Sequence, residues 1–390
     1  MSLACILVEF SATDEKGVET MADQGADQDA EPDEAIRHGR LLNINVKTLS
    51  PAYFAMVMAT GVVSLAANQI GLRPLALVLF VIALSAYVIL WGLTITRLTR
   101  WPNLFFADMF DHGRGPGFFT MIAASGVLGS ETLLLTGVVP AGFAFWLIAL
   151  ILWPTLTYTI FTAFTIKDNK PPLDQGISGA WLLAVVATQS VAVLSALLAA
   201  NIGQPYKIEL NFLALSSWLW GGMLYIWMMS LIFYRYTFFR FSPGDLSPPY
   251  WINMGAMAIS TLAGSLLILN TGDAPLLQSV EPFMKGFTVF YWATGTWWIP
   301  MLLILGFWRH FVKRFPLRYD PLYWGAVFPL GMYAVSTQQM SRALHIEMLN
   351  PLIAVFSWVA LFAWGVTFAA LLATLFNVRR AAYRGSRRLK

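Results

Sequence analysis

The chain has 390 residues, 57% of them hydrophobic and only 12% charged, with a mean hydropathy of +0.63. A soluble domain carries about 25% charged residues, so this composition excludes an ordinary soluble enzyme or binding domain. The net charge of +4 is uneven: residues 1–50 hold 4 Lys/Arg against 10 Asp/Glu, and residues 51–390 hold 21 against 11. That basic excess marks membrane flanks and not a nucleic-acid surface.

Residues 1–46 are acidic, polar and poor in aromatics, the composition of a disordered arm. They lack the basic start and apolar core of a signal peptide, and Met21 is an alternative natural start that would make residues 1–20 an upstream extension. The single cysteine, Cys5, lies in this arm and can make no intrachain disulfide. Ten long apolar segments follow, at 51–69, 74–97, 116–137, 140–166, 176–200, 210–239, 249–269, 283–314, 321–340 and 351–377. About 20 apolar residues cross a ~30 Å hydrocarbon core as a helix. The expectation is an all-α integral membrane domain over residues 47–378, ten helices arranged as five hairpins, ending in a basic tail at 379–390. Ser50-Pro51, Asp320-Pro321 and Asn350-Pro351 each put a capping side chain before a proline at the first helical position. No sequence repeat is evident.

Lys and Arg set the direction of insertion. One side holds 17, including Arg97, Arg100, Arg114, Lys167, Arg235, Arg309, Arg318 and the C-terminal run to Lys390. The other holds 4: Arg73, Lys207, Lys285 and Arg342. Both termini are therefore expected in the cytoplasm, in a multi-pass protein of the plasma or inner membrane.

The odd and even segments differ. The five odd spans hold 11 aromatics in 107 residues, and the five even spans hold 36 in 140. Long aromatic-rich helices suit a tilted, lipid-facing layer; shorter ones rich in small residues suit close packing inside. The expectation is an inner ring of odd helices around a central pore, inside an outer ring of even helices. Mid-span polar groups such as Thr60, Ser125, Thr188, Ser260, Ser336 and Thr337, and glycines such as Gly61 and Gly264, all lie in odd spans. Nine odd-span aromatics fall at segment starts, Tyr53, Phe54, Phe118, Phe119, Trp181, Tyr250, Trp251, Tyr323 and Trp324, and read as interfacial anchors. Phe328 and Tyr333 remain at depth, both in the ninth span.

Pro329 follows Phe328, and a proline deprives the carbonyl four residues back, on Gly325, of its partner. A kink is expected near 325–329 with Phe328 on it. A bulky ring in a small-residue lumen would close a pore by dewetting; the alternative is a core phenylalanine packed between helices. Tyr333 reads as a buried hydroxyl bonded to a neighbouring helix.

Enzyme chemistry is not in view. None of the four histidines, His38, His112, His310 and His345, is deep in a span, so neither a metal nor a haem site is expected, and no cofactor. Phosphate-loop and HExxH patterns are absent. The only acid inside a span is Glu131, near the outer end of the third, where an interfacial place is expected. Asp108, Asp111, His112 and Arg114 cluster in a loop and read as a solvated mouth.

Three segments, SPAYFAMVMATG at 50–61, PPYWINMGAMAISTLAG at 248–264 and WGAVFPLGMYAVST at 324–337, resemble the tellurite-resistance/dicarboxylate transporter family. That family includes fungal malic acid transporters and the slow anion channels of plant guard cells, and the resemblance spans roughly residues 48–378. It implies a ten-helix channel fold, a homo-trimer, a gating role for Phe328 and a pore-side place for Gly61. The expected partners are small anions and the lipid bilayer.

The reading of the chain is transport of small anions, C4-dicarboxylates such as malate or inorganic anions, through a neutral pore gated by Phe328. Gly61, Gly264, Thr188, Gly325, Pro329 and Ser336 are expected to line or kink it. Tellurite resistance would follow from anion movement. The alternatives are a proton-coupled dicarboxylate carrier using Glu131 or an acid of the cytoplasmic mouth, and a membrane-embedded enzyme.

Overall fold

The computed structural model describes residues 46–316 and 319–388. The acidic arm expected over 1–46 therefore lies, apart from Val46, outside the described residues, as do Arg318 and Lys390. Residues Ile44–Asn377 form one compact unit. In the second unit the described part is helical, residues 378–388.

Ten long helices follow in order: α1 (Phe54–Gln69), α2 (Arg73–Arg100), α3 (Phe119–Glu131), α4 (Val139–Ile166), α5 (Leu183–Asn201), α6 (Tyr206–Phe238), α7 (Ile252–Leu269), α8 (Pro275–Phe307), α9 (Trp324–Leu344) and α10 (Asn350–Arg388). Two expected caps are made: Ser50 accepts from the Ala52 amide at 3.3 Å, and Asp320 from the Leu322 amide at 2.8 Å. The eighth helix begins at Pro275, earlier than the expected 283, because it runs through the exposed Pro282 without ending there. Among the described residues nine helices are long and apolar enough to cross a membrane. The tenth, α9, has 21 residues but carries Ser336, Thr337, Gln338, Gln339, Ser341 and Arg342.

The two-layer expectation holds. Of the apolar windows in α1, α3, α5 and α7, 72% to 100% is buried; in the even helices the share is 17% to 50%. The odd helices pack in a closed cyclic order, α1 on α3, α3 on α5, α5 on α7, α7 on α9 and α9 on α1. Each odd helix is entered through a short 3-10 turn, at Pro51–Tyr53, Gly115–Phe118, Gly179–Leu182, Pro248–Trp251 and Pro321–Tyr323, and these turns touch in the same cyclic order. Phe54, Phe118, Phe119, Tyr250 and Trp324 at this end are at most 1% exposed. They are packing groups of a collar, not the interfacial anchors expected of them, because the turns bring five helix starts together and bury the rings between them.

A five-fold pattern of hydrogen bonds ties the layers. Each even helix bonds through one aromatic to the next odd helix. Tyr87 of α2 bonds Ser125 of α3 (2.8 Å), and Trp153 of α4 bonds Thr188 of α5 (2.8 Å). Trp218 of α6 bonds the Ser260 carbonyl of α7 (2.9 Å). Trp292 of α8 bonds Thr337 of α9 (3.0 Å), and Trp364 of α10 bonds Thr60 of α1 (3.0 Å). A polar group at membrane depth needs such a partner. The repeat is thus carried by donor–acceptor geometry, which sequence similarity does not display.

Candidate functional site: the axis of the inner ring

All five odd helices contribute to one small cavity. Val62 and Leu65 come from α1, Gly126, Val127 and Ser130 from α3, Ser190 and Val193 from α5, Ile259 and Leu262 from α7, and Met332 from α9. Its volume of about 10 Å³ is room for one water. No charged side chain lines it. Two hydroxyls do, but each is also turned to its own helix: Ser130 donates to the Gly126 carbonyl (2.8 Å) and Ser190 to that of Ala187 (2.7 Å). The chamber is therefore neutral and narrow.

Phe328 stands four residues before Met332 on α9, and Ser336 four after. Residues four apart share one helix face about one turn apart, so the three form one stripe, with Phe328 towards the end where the odd helices begin. Phe328 and Ser336 are 0% exposed. Helix α9 runs on through Pro329. Pro329 packs against α7, where a Cβ on Gly255 would meet its ring at 2.7 Å. Gly325 also faces α7, with Pro249 and Ile252 as its neighbours. Tyr333 turns to α8, sharing a hydrogen bond with Thr296 at 2.8 Å.

Two residues expected to line the pore do not. Thr188 faces the outer layer, donating to the Ala184 carbonyl and accepting from Trp153. Gly264 faces Thr288 and Trp218, where an added Cβ would lie 2.2 Å from the Thr288 hydroxyl and 3.0 Å from the indole. Both serve the seam between inner and outer helices, because a buried hydroxyl needs a partner and an outer indole needs room.

Glu131 is not at the interface. It is 0% exposed; the Ser64 hydroxyl stands beside the carboxyl but donates to the Ala76 carbonyl at 2.9 Å, which leaves both carboxyl oxygens without a bond of their own. It lies against α1: a Cβ on Gly61 would meet Glu131 Oε2 at 2.5 Å and Val127 Cγ1 at 2.6 Å. Gly61 thus supplies the space in which the carboxyl sits. Val62 and Ser130, the neighbours of Gly61 and Glu131 in sequence, both line the axial cavity. A π-helical turn, Thr132–Thr136, begins directly after Glu131 and carries the span onward, leaving the carboxyl inside. Such turns recur at functional sites.

The loop cluster is built for structure. Asp108 bridges Arg97 (2.6 Å) and Arg114 (2.9 Å), while Arg97 also donates to the carbonyls of Lys47, Leu49 and Leu104. Asp111 accepts from the amides of Gly113 and Arg114. His112 stacks on Phe164 at 4.2 Å. Burial pushes its imidazole below the ordinary value, with Lys167 and Lys170 acting the same way and Asp111 opposing them. Among the described residues no group of His, Cys, Asp and Glu could hold a metal.

Sequence reasoning missed the cavity wall. Val62, Leu65, Val193, Ile259 and Leu262 are ordinary apolar residues, and nothing in their type separates an axial from a seam position. Val62 and Leu65 stand two and five residues beyond Thr60, Val193 five beyond Thr188 and Leu262 two beyond Ser260, and that shared offset from the buried hydroxyls is the signal that was available.

A closed ring of helices around a chamber without a charged lining, wrapped by a more exposed apolar layer, is the architecture of a multi-pass membrane transport protein. The chain belongs to the SLAC1, or voltage-dependent anion channel, family, whose model matches residues 48–372. It is 40% identical over 149 residues, 38% of this chain and 75% of the relative, to an uncharacterized membrane protein of Mycobacterium tuberculosis. It is 24% identical to an uncharacterized transporter of Methanocaldococcus jannaschii, covering 83% of this chain and 93% of that one. A sulfite efflux pump of Trichophyton rubrum is 22% identical over 84% of this chain and 90% of its own length. Transport of anions is the activity class.

Proposed function

We propose that this protein passes small anions along the axis of the inner ring and that Phe328 is the group that closes the path. The observation that carries this reading is the stripe Phe328–Met332–Ser336 on α9, of which Met332 borders the neutral chamber shared by all five odd helices. A wall without fixed charge neither repels an anion nor holds it tightly, which conduction requires. A benzyl group across such a lumen excludes water and so excludes ions. Sulfite is the first anion to try, given the fungal relatives named sulfite efflux pumps; C4-dicarboxylates such as malate come next. A tellurite-resistance phenotype would follow from the same movement. The remaining assignments are a homo-trimer in the plasma or inner membrane with both termini cytoplasmic.

The test is anion efflux from liposomes holding wild-type protein or Phe328→Ala. The expected result is at least a tenfold rise, equal to lowering the barrier by about 1.4 kcal/mol. Equal flux from equal amounts of folded protein in the membrane rejects the gate.

One observation favours a second reading, proton-coupled carriage. Glu131 is buried beside the axis with both oxygens unpartnered, and intramembrane acids of this kind mark proton relays. In that reading uptake collapses when the proton gradient is dissipated, and Glu131→Gln abolishes the dependence.

A further inference from the structure

A second polar cavity lies off the axis, at the end where the odd helices begin. Its volume is about 70 Å³, room for several waters or one small oxyanion. Ser247 and Tyr250 before α7, Gly306 of α8, Arg309 and His310 beyond it, and Ala326 of α9 are among its walls. The π-helical turn Trp308–Val312 continues α8 and brings Arg309 and His310 to this place in succession.

One donor in this wall is unsatisfied and a second is weakly held. Arg309 Nε is shut from solvent with no hydrogen-bond partner, and the Tyr250 hydroxyl, in a residue only 1% exposed, has just the hydroxyl of Tyr236 beside it and no well-formed bond. The rest of the guanidinium is held in place. Arg309 Nη1 donates to the Leu246 carbonyl, and the group lies over the Phe315 ring at 4.4 Å. The Tyr250 ring stacks on Tyr236 at 4.4 Å, whose hydroxyl faces the amide of Asn253 at 3.4 Å. Leaving buried donors unmade is costly, and each one calls for an explanation.

The buried arginines of this end are treated differently from the half-buried Arg309. Arg97 has Asp108 (2.6 Å), and Arg235 has Asp245 (3.1 Å). Arg309 has no carboxylate within 4 Å among the described residues. The acids nearest in sequence to its pocket are engaged: Asp245 by Arg235 and Ser242, and Asp320 by the Leu322 amide. No acid lines the cavity itself. A positioned guanidinium edge, a buried hydroxyl and a wall without a carboxylate form an anion receptor, since Arg donors suit two oxygens of one anion.

We propose that this pocket between α7, α8 and α9 binds a small oxyanion through Arg309 Nε and the Tyr250 hydroxyl, at a site separate from the axial chamber. The ligand class is an anion presenting two or more oxygens on one centre, such as a phosphate. Free anion and lipid headgroup offer the same chemistry. Ala326 in its wall stands two residues before Phe328, so an occupant touches the helix that carries the proposed gate. Binding stands whether or not the axis conducts, because it is read without flux.

The experiment is equilibrium binding of radiolabelled inorganic phosphate to the full chain in phosphatidylcholine nanodiscs, with and without phosphatidylglycerol. Wild type is expected to bind saturably, one per chain. Arg309→Gln should weaken binding at least tenfold and Arg309→Lys less. Tyr250→Phe, which keeps the ring stack, should weaken it several-fold. Ala326→Leu should abolish it by filling the cavity from the α9 side. If phosphatidylglycerol competes in wild type, the headgroup is an occupant; if phosphate binds equally in both lipids, the free anion is. An absence of saturable phosphate binding in phosphatidylcholine, or binding by Arg309→Gln and Ala326→Leu equal to wild type, overturns the proposal.

Discussion

Replacing Gly61 by alanine tests the packing that places a carboxyl beside the axis. The new Cβ would lie 2.5 Å from Glu131 Oε2, 2.6 Å from Val127 Cγ1 and 3.0 Å from Glu131 Cδ. Carbon contacts are comfortable at ~3.5–4.0 Å, so about 1 Å must be found. The carboxyl end can swing. Val127 is β-branched and stiff at χ1, and cannot. Overpacking of this kind costs ~1–3 kcal/mol. Alanine returns up to ~1 kcal/mol over glycine in a helix, leaving a net loss of about 0–2 kcal/mol. Glu131→Ala removes the Oε2 and Cδ contacts and leaves only Val127. The double variant should therefore regain part of the loss, with a coupling energy above ~0.5 kcal/mol. The measurement is reversible denaturation in detergent micelles of wild type, the two single variants and the double. Additivity within ~0.3–0.5 kcal/mol would show that the carboxyl does not lie against Gly61, and the coupling reading would lose its ground.

Trp364→Phe should cost ~0.6–1.7 kcal/mol by losing its bond to Thr60, the range for interhelical bonds in membranes, and in a Thr60→Val background it should cost clearly less; an equal cost in both would mean that the bond contributes nothing. Thr188→Val should lower stability without changing anion selectivity, because the hydroxyl faces Trp153; altered selectivity in liposome flux would return it to the pore wall. Burial would raise the Asp245 pKa, but the Ser242 hydroxyl and amide and Arg235 outweigh it and hold it below 3.8. A lowered carboxylate contributes stability that is full above the ordinary value and lost as pH falls through the lowered one. The melting points of wild type and Asp245→Asn should accordingly converge as pH falls from about 5 to about 3, and a constant gap across that range contradicts the ion pair.

Phe328 and Glu131 stood out in the sequence because each is an exception within its own segment, although Glu131 was expected at the interface and lies buried. One is a bulky ring in a small-residue helix and the other is an acid in an apolar one. Thr188 and Gly264 were misplaced for the opposite reason. In α5 and α7 nearly every residue is buried, so a polar or small side chain carries no periodic contrast to say which way it faces. The starting aromatics misled similarly: Phe118 and Tyr250 sit where a membrane surface is expected, yet the ring of 3-10 turns encloses them.

What the chain determined by itself is therefore the solvent of each helix. Composition separates ten spans, and aromatic content sorts five to lipid and five to protein, because transfer between those media acts on each residue alone. What only the tertiary structure decided is azimuth. Whether a hydroxyl meets the axis or an outer indole, whether Gly61 makes room for a pore or a carboxyl, and whether Arg309 finds an acid are set by which helix comes next around the ring. That is a relation between residues far apart in the chain, fixed by closure of the ring and not by local preference.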